Sequence, residues 1–147
     1  MAGRFTAFVA GLAILTGGLP AEAQTADSIA GHWTFEARVD PSCSFGGTAF
    51  LEQVEDGAYV GELTARQSCD LLEEDYIVRQ DCQASVIGNQ VSVRCTIVEF
   101  VNGFESPFYY PDNFTLTIDT ATRMYGALVS SGAARPAEWV RAAGGIS

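Results

Sequence analysis

The sequence contains no lysine and a single histidine, His32. Eight arginines stand against 18 Asp and Glu, for a formal net charge of −10. So few cations cannot build the basic surface that neutralises phosphates, which argues against nucleic acid as a partner. One histidine and four cysteines without C-x-x-C spacing make a poor zinc ligand set, so no metal is expected. Long apolar runs are also missing. The only candidate, residues 5–15, falls short of the about 20 residues a bilayer span needs. No glycine-rich phosphate loop opens a helix, and Ser130-Ser131-Gly132 has loop composition, not that of a nucleophile elbow. His32 has no positioned nucleophile, and the cysteines are expected to be consumed in disulfides. No catalytic residue and no cofactor is therefore assigned, and the chain is expected not to be an enzyme.

The apolar run that is present has the grammar of a secretory signal. Arg4 supplies the positive start, residues 5–15 the apolar core, and Gly17, Gly18 and Pro20 the helix break. Ala21-Glu22-Ala23 is an A-x-A cleavage site, which places the mature start at Gln24. Removing residues 1–23 from 147 leaves 124, the size of one domain. The expected localisation is periplasmic or secreted. No cysteine directly follows the cleavage site, so a lipoprotein anchor is not expected. Four cysteines in an exported domain imply two disulfides.

Period-2 alternation dominates residues 24–147. In 31–39, Trp33, Phe35, Ala37 and Val39 share one face, while His32, Thr34, Glu36 and Arg38 share the other. Further strands are expected at 47–54, 58–66, 76–87, 90–100, 113–119, 123–129 and 137–142. No segment between them reads as a long amphipathic helix. Asp56-Gly57 and Gly88-Asn89 are tight-turn dipeptides, and 120–122 is also short. The connections at 40–46, 67–75, 101–112 and 130–136 are longer. In an up-and-down meander these long loops share one end and the tight turns the other. Eight antiparallel strands can close into a barrel without exposed edges. The expected fold is all-β, an eight-stranded antiparallel up-and-down barrel, with a β-sandwich as the alternative.

Turn position fixes register, and register pairs the cysteines. About a two-residue turn at Gly88-Asn89, Cys82 and Cys95 face each other in a non-hydrogen-bonded pair. About a three-residue turn at 55–57, Cys43 faces Cys69 at the open end of its hairpin, in the long loops. The expected bridges are Cys43–Cys69 and Cys82–Cys95.

Two loops at the open end stand out. Residues 103–112 concentrate Phe104, Phe108, Tyr109 and Tyr110 among prolines and glycine. These four are the candidate ligand- or partner-binding residues, with a core-completing lid as the competing reading. Asp70, Glu73, Glu74 and Asp75 form an acidic loop without calcium-loop spacing, better read as solvated charge.

Gly31-His32-Trp33 at the head of the first strand, with Arg141 near the end of the last, resembles the calycins, the lipocalins and similar small barrels. The resemblance implies that Trp33 closes the barrel floor and that Arg141 stacks over it, both as structural residues. Among calycins the chain resembles the Inh family of bacterial metalloprotease inhibitors, whose short lead-in precedes G-x-W. That resemblance implies a periplasmic protease inhibitor acting through residues 24–29, although this chain has two disulfides and a short lead-in. The expected function is thus a non-catalytic binding module for a small apolar molecule or an exported protein at the open end, with the inhibitor as the alternative. Export is directly checkable. N-terminal sequencing of the protein secreted from a bacterial host should begin at Gln24, and an intact Met1 or a start within 5–15 would refute the cleavage assignment.

Overall fold

The computed structural model describes residues 28–143, so residues 1–23, expected to be a leader, and residues 24–27 lie outside the described residues. The eight strands are β1 (Gly31–Ala37), β2 (Cys43–Glu55), β3 (Ala58–Cys69), β4 (Tyr76–Ile87), β5 (Gln90–Asn102), β6 (Asn113–Thr120), β7 (Arg123–Ser130) and β8 (Ala133–Arg141). Each pairs antiparallel with the next, and β8 returns to β1 to close the barrel, which settles the choice against a sandwich. Inward positions follow the period of two. Trp33, Phe35, Leu51, Leu63, Val78, Val93, Phe114, Leu116, Met124 and Trp139 are all buried. Phe35 stacks on Trp139 at 5.4 Å, and Phe114 meets both edge-on at 5.3 and 5.1 Å. Aromatic rings thus fill the space a small barrel encloses.

Both bridges form as the turns require. Cys43 lies opposite Cys69 and Cys82 opposite Cys95, with Cα separations of 4.0 and 4.1 Å. The turn at Asp56-Gly57 is two residues long, with a bulge between Gln53 and Glu55 that restores the register of a three-residue turn. Cys43 and Cys69 are strand residues, not loop residues, because the ladder runs on past the expected ends to the bridge itself. Loop closure across 26 and 13 residues stabilises the fold by about 3 kcal/mol per bridge.

Two boundaries differ from the alternation pattern for physical reasons. Ser131 and Gly132 both adopt positive φ, 55° and 73°, so residues 131–132 form a tight turn and β8 begins at Ala133. The expected long connection at 130–136 is therefore absent. β1 stops at Ala37, not Val39. Arg38 N donates to Pro136 O, but Pro136 has no N–H to return the bond, and the ladder ends there. The open end carries the loops 38–42, 70–75 and 103–112 and one tight turn.

The floor is built around Trp33. Its indole Nε1 donates to Ile29 O at 2.8 Å, and buried Ile29 plugs the end of the barrel. The Arg141 guanidinium lies 4.4 Å from the Trp33 ring centroid. It donates to Ala30 O, Ser28 O and Ala121 O, tying the lead-in and the β6–β7 turn to the end of β8. Gly31 adopts φ +117°, a conformation that side-chain-bearing residues rarely take, and a Cβ there would sit 2.9 Å from the guanidinium. Trp33→Ala should lower stability by about 3–5 kcal/mol, as a large-to-small core change. Urea unfolding would measure it, and a loss under about 1 kcal/mol would show that Trp33 is not the plug.

Candidate functional site

At the opposite end, loop 103–112 is pinned by one buried polar network. β5 pairs with β6 only over Gln90–Val93, so β5 leaves the wall early and the loop returns across the mouth. Bulges beside Val98 and Val101 twist this upper part of β5. Asn113 Oδ1 accepts from Cys95 N at 2.8 Å and replaces the missing ladder bond. Asp112 then turns inward and is buried. Gln80, fully buried on β4, grips it twice. Asp112 N donates to Gln80 Oε1 at 2.9 Å, and Gln80 Nε2 donates to Asp112 Oδ2 at 2.6 Å. The Tyr109 hydroxyl donates to the same Oδ2 at 2.9 Å. Burial lifts the Asp112 carboxyl to about 6, against the opposing hydrogen bonds from Gln80 and Tyr109. Burial and the neighbouring carboxylate push the Tyr109 phenol well above its ordinary value.

The four aromatic candidates separate. Tyr109 folds in, packing against Tyr76 and Phe100 at 5.7 Å each, so it acts as an anchor for the loop. Phe108 is 84 % exposed and Phe104 82 %, while Tyr110 is 48 % exposed. Phe108 and Tyr109 face a mouth cleft of about 440 Å³. The same cleft is lined by Leu71, Leu72, Tyr76 and the Cys43–Cys69 bridge, and by the polar Asp40, Ser42, Gln67 and Ser106. Tyr110 instead borders a separate 310 Å³ cleft beside the 131–132 turn, and Phe104 faces neither.

Leu71 and Leu72 are the residues that sequence reasoning missed. They lie inside the acidic segment and are masked by its charge, yet Leu71 is 92 % exposed and lines the same cleft as Phe108 and Tyr109. Asp40 Oδ1 accepts from Ser42 N and Ser42 Oγ at 2.8 and 2.7 Å. These bonds, with a smaller contribution from Arg135, hold its carboxyl below the usual range. In the acidic loop, Asp75 is engaged by Arg66. A larger cleft of about 910 Å³ lies on the outer wall around Gly46 and Gly47. Half of its lining residues carry hydroxyl or charged groups, Thr34, Glu36, Ser44, Arg66, Ser68 and Glu138, so size alone does not mark it as a ligand site.

The lead-in is less free than an inhibitory segment requires. Ile29 is buried in the floor, and the carbonyls of Ser28 and Ile29 are taken by Arg141 and Trp33. Only residues 24–27, outside the described residues, remain for such a role. His32 is exposed and packs on Phe50 at 4.7 Å.

These features define a small closed eight-stranded antiparallel barrel, filled at the floor and grooved at the mouth. Solved structures bear out the architecture. A de novo designed fluorescence-activating beta barrel superposes with a TM-score of 0.56 at 13% identity, covering 77% of this chain and 93% of that one. A redesigned beta barrel, mFAP1, bound to DFHBI, gives a TM-score of 0.54 at 10% identity, over 77% and 94% of the two chains. At such identities the likeness is one of fold. No protein-family model matches the chain and no curated protein is similar in sequence, so the Inh resemblance gains no support from either.

The Asp112 network makes stability depend on pH in a definite direction. The folded-state pKa is raised, from 3.8 to about 6. The stabilisation it reports is present below about pH 4 and is lost as pH rises through about 6. A shift of this size is worth about 3 kcal/mol. Asp40 and Asp75 have lowered pKa values and act in the opposite sense, so the contribution is read as a difference from a variant. Asp112→Asn should gain on the parent by about 2–3 kcal/mol between pH 4 and 7 in urea unfolding. Parallel curves would show that Asp112 titrates normally.

Proposed function

We propose that this chain is an exported, non-catalytic binding barrel that takes a small apolar ligand in its mouth cleft. The observation that carries the reading is the gathering of exposed apolar side chains, Leu71, Leu72 and Phe108, in the lining of one cleft beside a disulfide and an anchored loop. A soluble domain usually leaves such side chains isolated, and several gathered in one cleft offer burial to a third body. The bridge between Cys43 and Cys69 and the Gln80–Asp112–Tyr109 clamp fix the lining beforehand, which lowers the ordering cost of binding. The interior is occupied by Phe35, Phe114 and Trp139, so the reading places the ligand at the rim and not in the barrel. Two disulfides agree with an oxidising compartment outside the cytoplasm. The designed neighbours, one of them bound to DFHBI, belong to a fold that accommodates small molecules, which supports the reading by analogy.

Titration with the neutral fluorophore Nile red tests it. The parent should bind with a blue-shifted emission. Leu71→Ser with Phe108→Ser should weaken binding by about tenfold or more, since each removes apolar contact worth over about 1 kcal/mol, while the urea midpoint stays unchanged. Equal binding by parent and variant would place the ligand elsewhere. Deletion of residues 24–29 in a parallel sample should leave a mouth site intact once loss of stability is accounted for, whereas an inhibitor would lose its activity.

A further inference from the structure

The mouth cleft has a mainly apolar and aromatic lining with acidic residues around it, and the combination specifies more than apolarity. Asp40 borders the cleft directly. Its Oδ1 is taken by Ser42, and Oδ2 has no hydrogen-bond partner among the described residues. Asp70, Glu73 and Glu74 flank Leu71 and Leu72 in the same loop, and Glu105 precedes the Ser106 that lines the cleft; all four are exposed. Of the arginines at this end, Arg66 is engaged by Asp75, which leaves Arg38 and Arg135 against five carboxylates. The potential over the cleft is therefore negative, and a cleft between low-dielectric walls concentrates that field. Tyr76, Phe108 and Tyr109 also line the cleft, and aromatic rings attract an organic cation.

We propose that the ligand is a cationic amphiphile, an aliphatic or aromatic tail bearing an ammonium head. The tail lies against Leu71, Leu72 and Phe108, and the head sits at the free oxygen of Asp40. The inference rests on the mouth reading and deepens it. An anionic ligand such as a fatty carboxylate meets five carboxylates against two arginines around the cleft and is disfavoured, although its tail would fit the same lining.

Three decyl compounds with a common tail separate the contributions: decyltrimethylammonium, 1-decanol and decanoate, each below micelle formation and followed by calorimetry on the mature chain. Decyltrimethylammonium should bind about tenfold more tightly than decanoate, with decanol between them, and high salt should narrow the spread. Asp40→Asn keeps an acceptor for the Ser42 turn and should weaken the cation alone, by about threefold. Equal binding of all three compounds, or a preference for decanoate, would overturn the head-group assignment and leave the mouth reading standing. Binding of none would overturn the mouth reading itself. A cation preference undiminished in the Leu71→Ser, Phe108→Ser variant would show attraction to the acidic surface at large, and would overturn the assignment to this cleft.

Discussion

Closure of β8 onto β1 is the constraint on which the rest of the barrel depends, and Arg141 is the residue that secures it. It lies opposite Trp33 in the closing ladder, covers the indole face, and donates to three backbone carbonyls from two other chain segments. A cation over an aromatic ring is worth about 1 kcal/mol at a partly exposed site. The larger effect is geometric. With the last strand fixed beside the first, every inward position along the wall is determined, and the sheet has no slack in which to slip by a residue.

The two ends of the barrel use different physics. At the floor, apolar plugs and a multiply bonded arginine close the interior. At the mouth, a carboxylate is buried and held by an amide and a phenol. Such a network orders a loop by geometry more than by net energy, because burial of the charged form outweighs what the hydrogen bonds contribute to it. Half-buried Tyr109 commits its ring to Tyr76 and Phe100 and its hydroxyl to Asp112, and its neighbour Phe108 is left exposed. One inward residue thus creates the exposed one beside it.

The parts of the structure legible in the sequence are those set by local geometry. Alternation places the strands, the dipeptides Asp56-Gly57 and Gly88-Asn89 set two registers, and the registers pair all four cysteines. What stays hidden depends on residues far apart in the chain. The end of β1 is decided by Pro136, near the other end of the chain, and the tight turn at Ser131 by a positive φ that serine rarely adopts. Gln80 and Asp112 are 32 residues apart, and nothing in either neighbourhood announces a buried polar pair. Leu71 and Leu72 escape notice because charge and apolarity are mixed within one short loop, where no period applies.

The narrow β5–β6 pairing has a consequence for how the molecule would come apart. With the similarly short β1–β8 contact, it divides the wall into two leaves, β1 to β5 and β6 to β8. Both disulfides fall within the five-stranded leaf. The covalent staples therefore restrict only that leaf in the denatured chain, and the three-stranded leaf is retained by packing of Phe114, Leu116, Met124 and Trp139. Like a book bound along one cover, the barrel has two seams at which its pages part, and the aromatic stack between them is what keeps it shut.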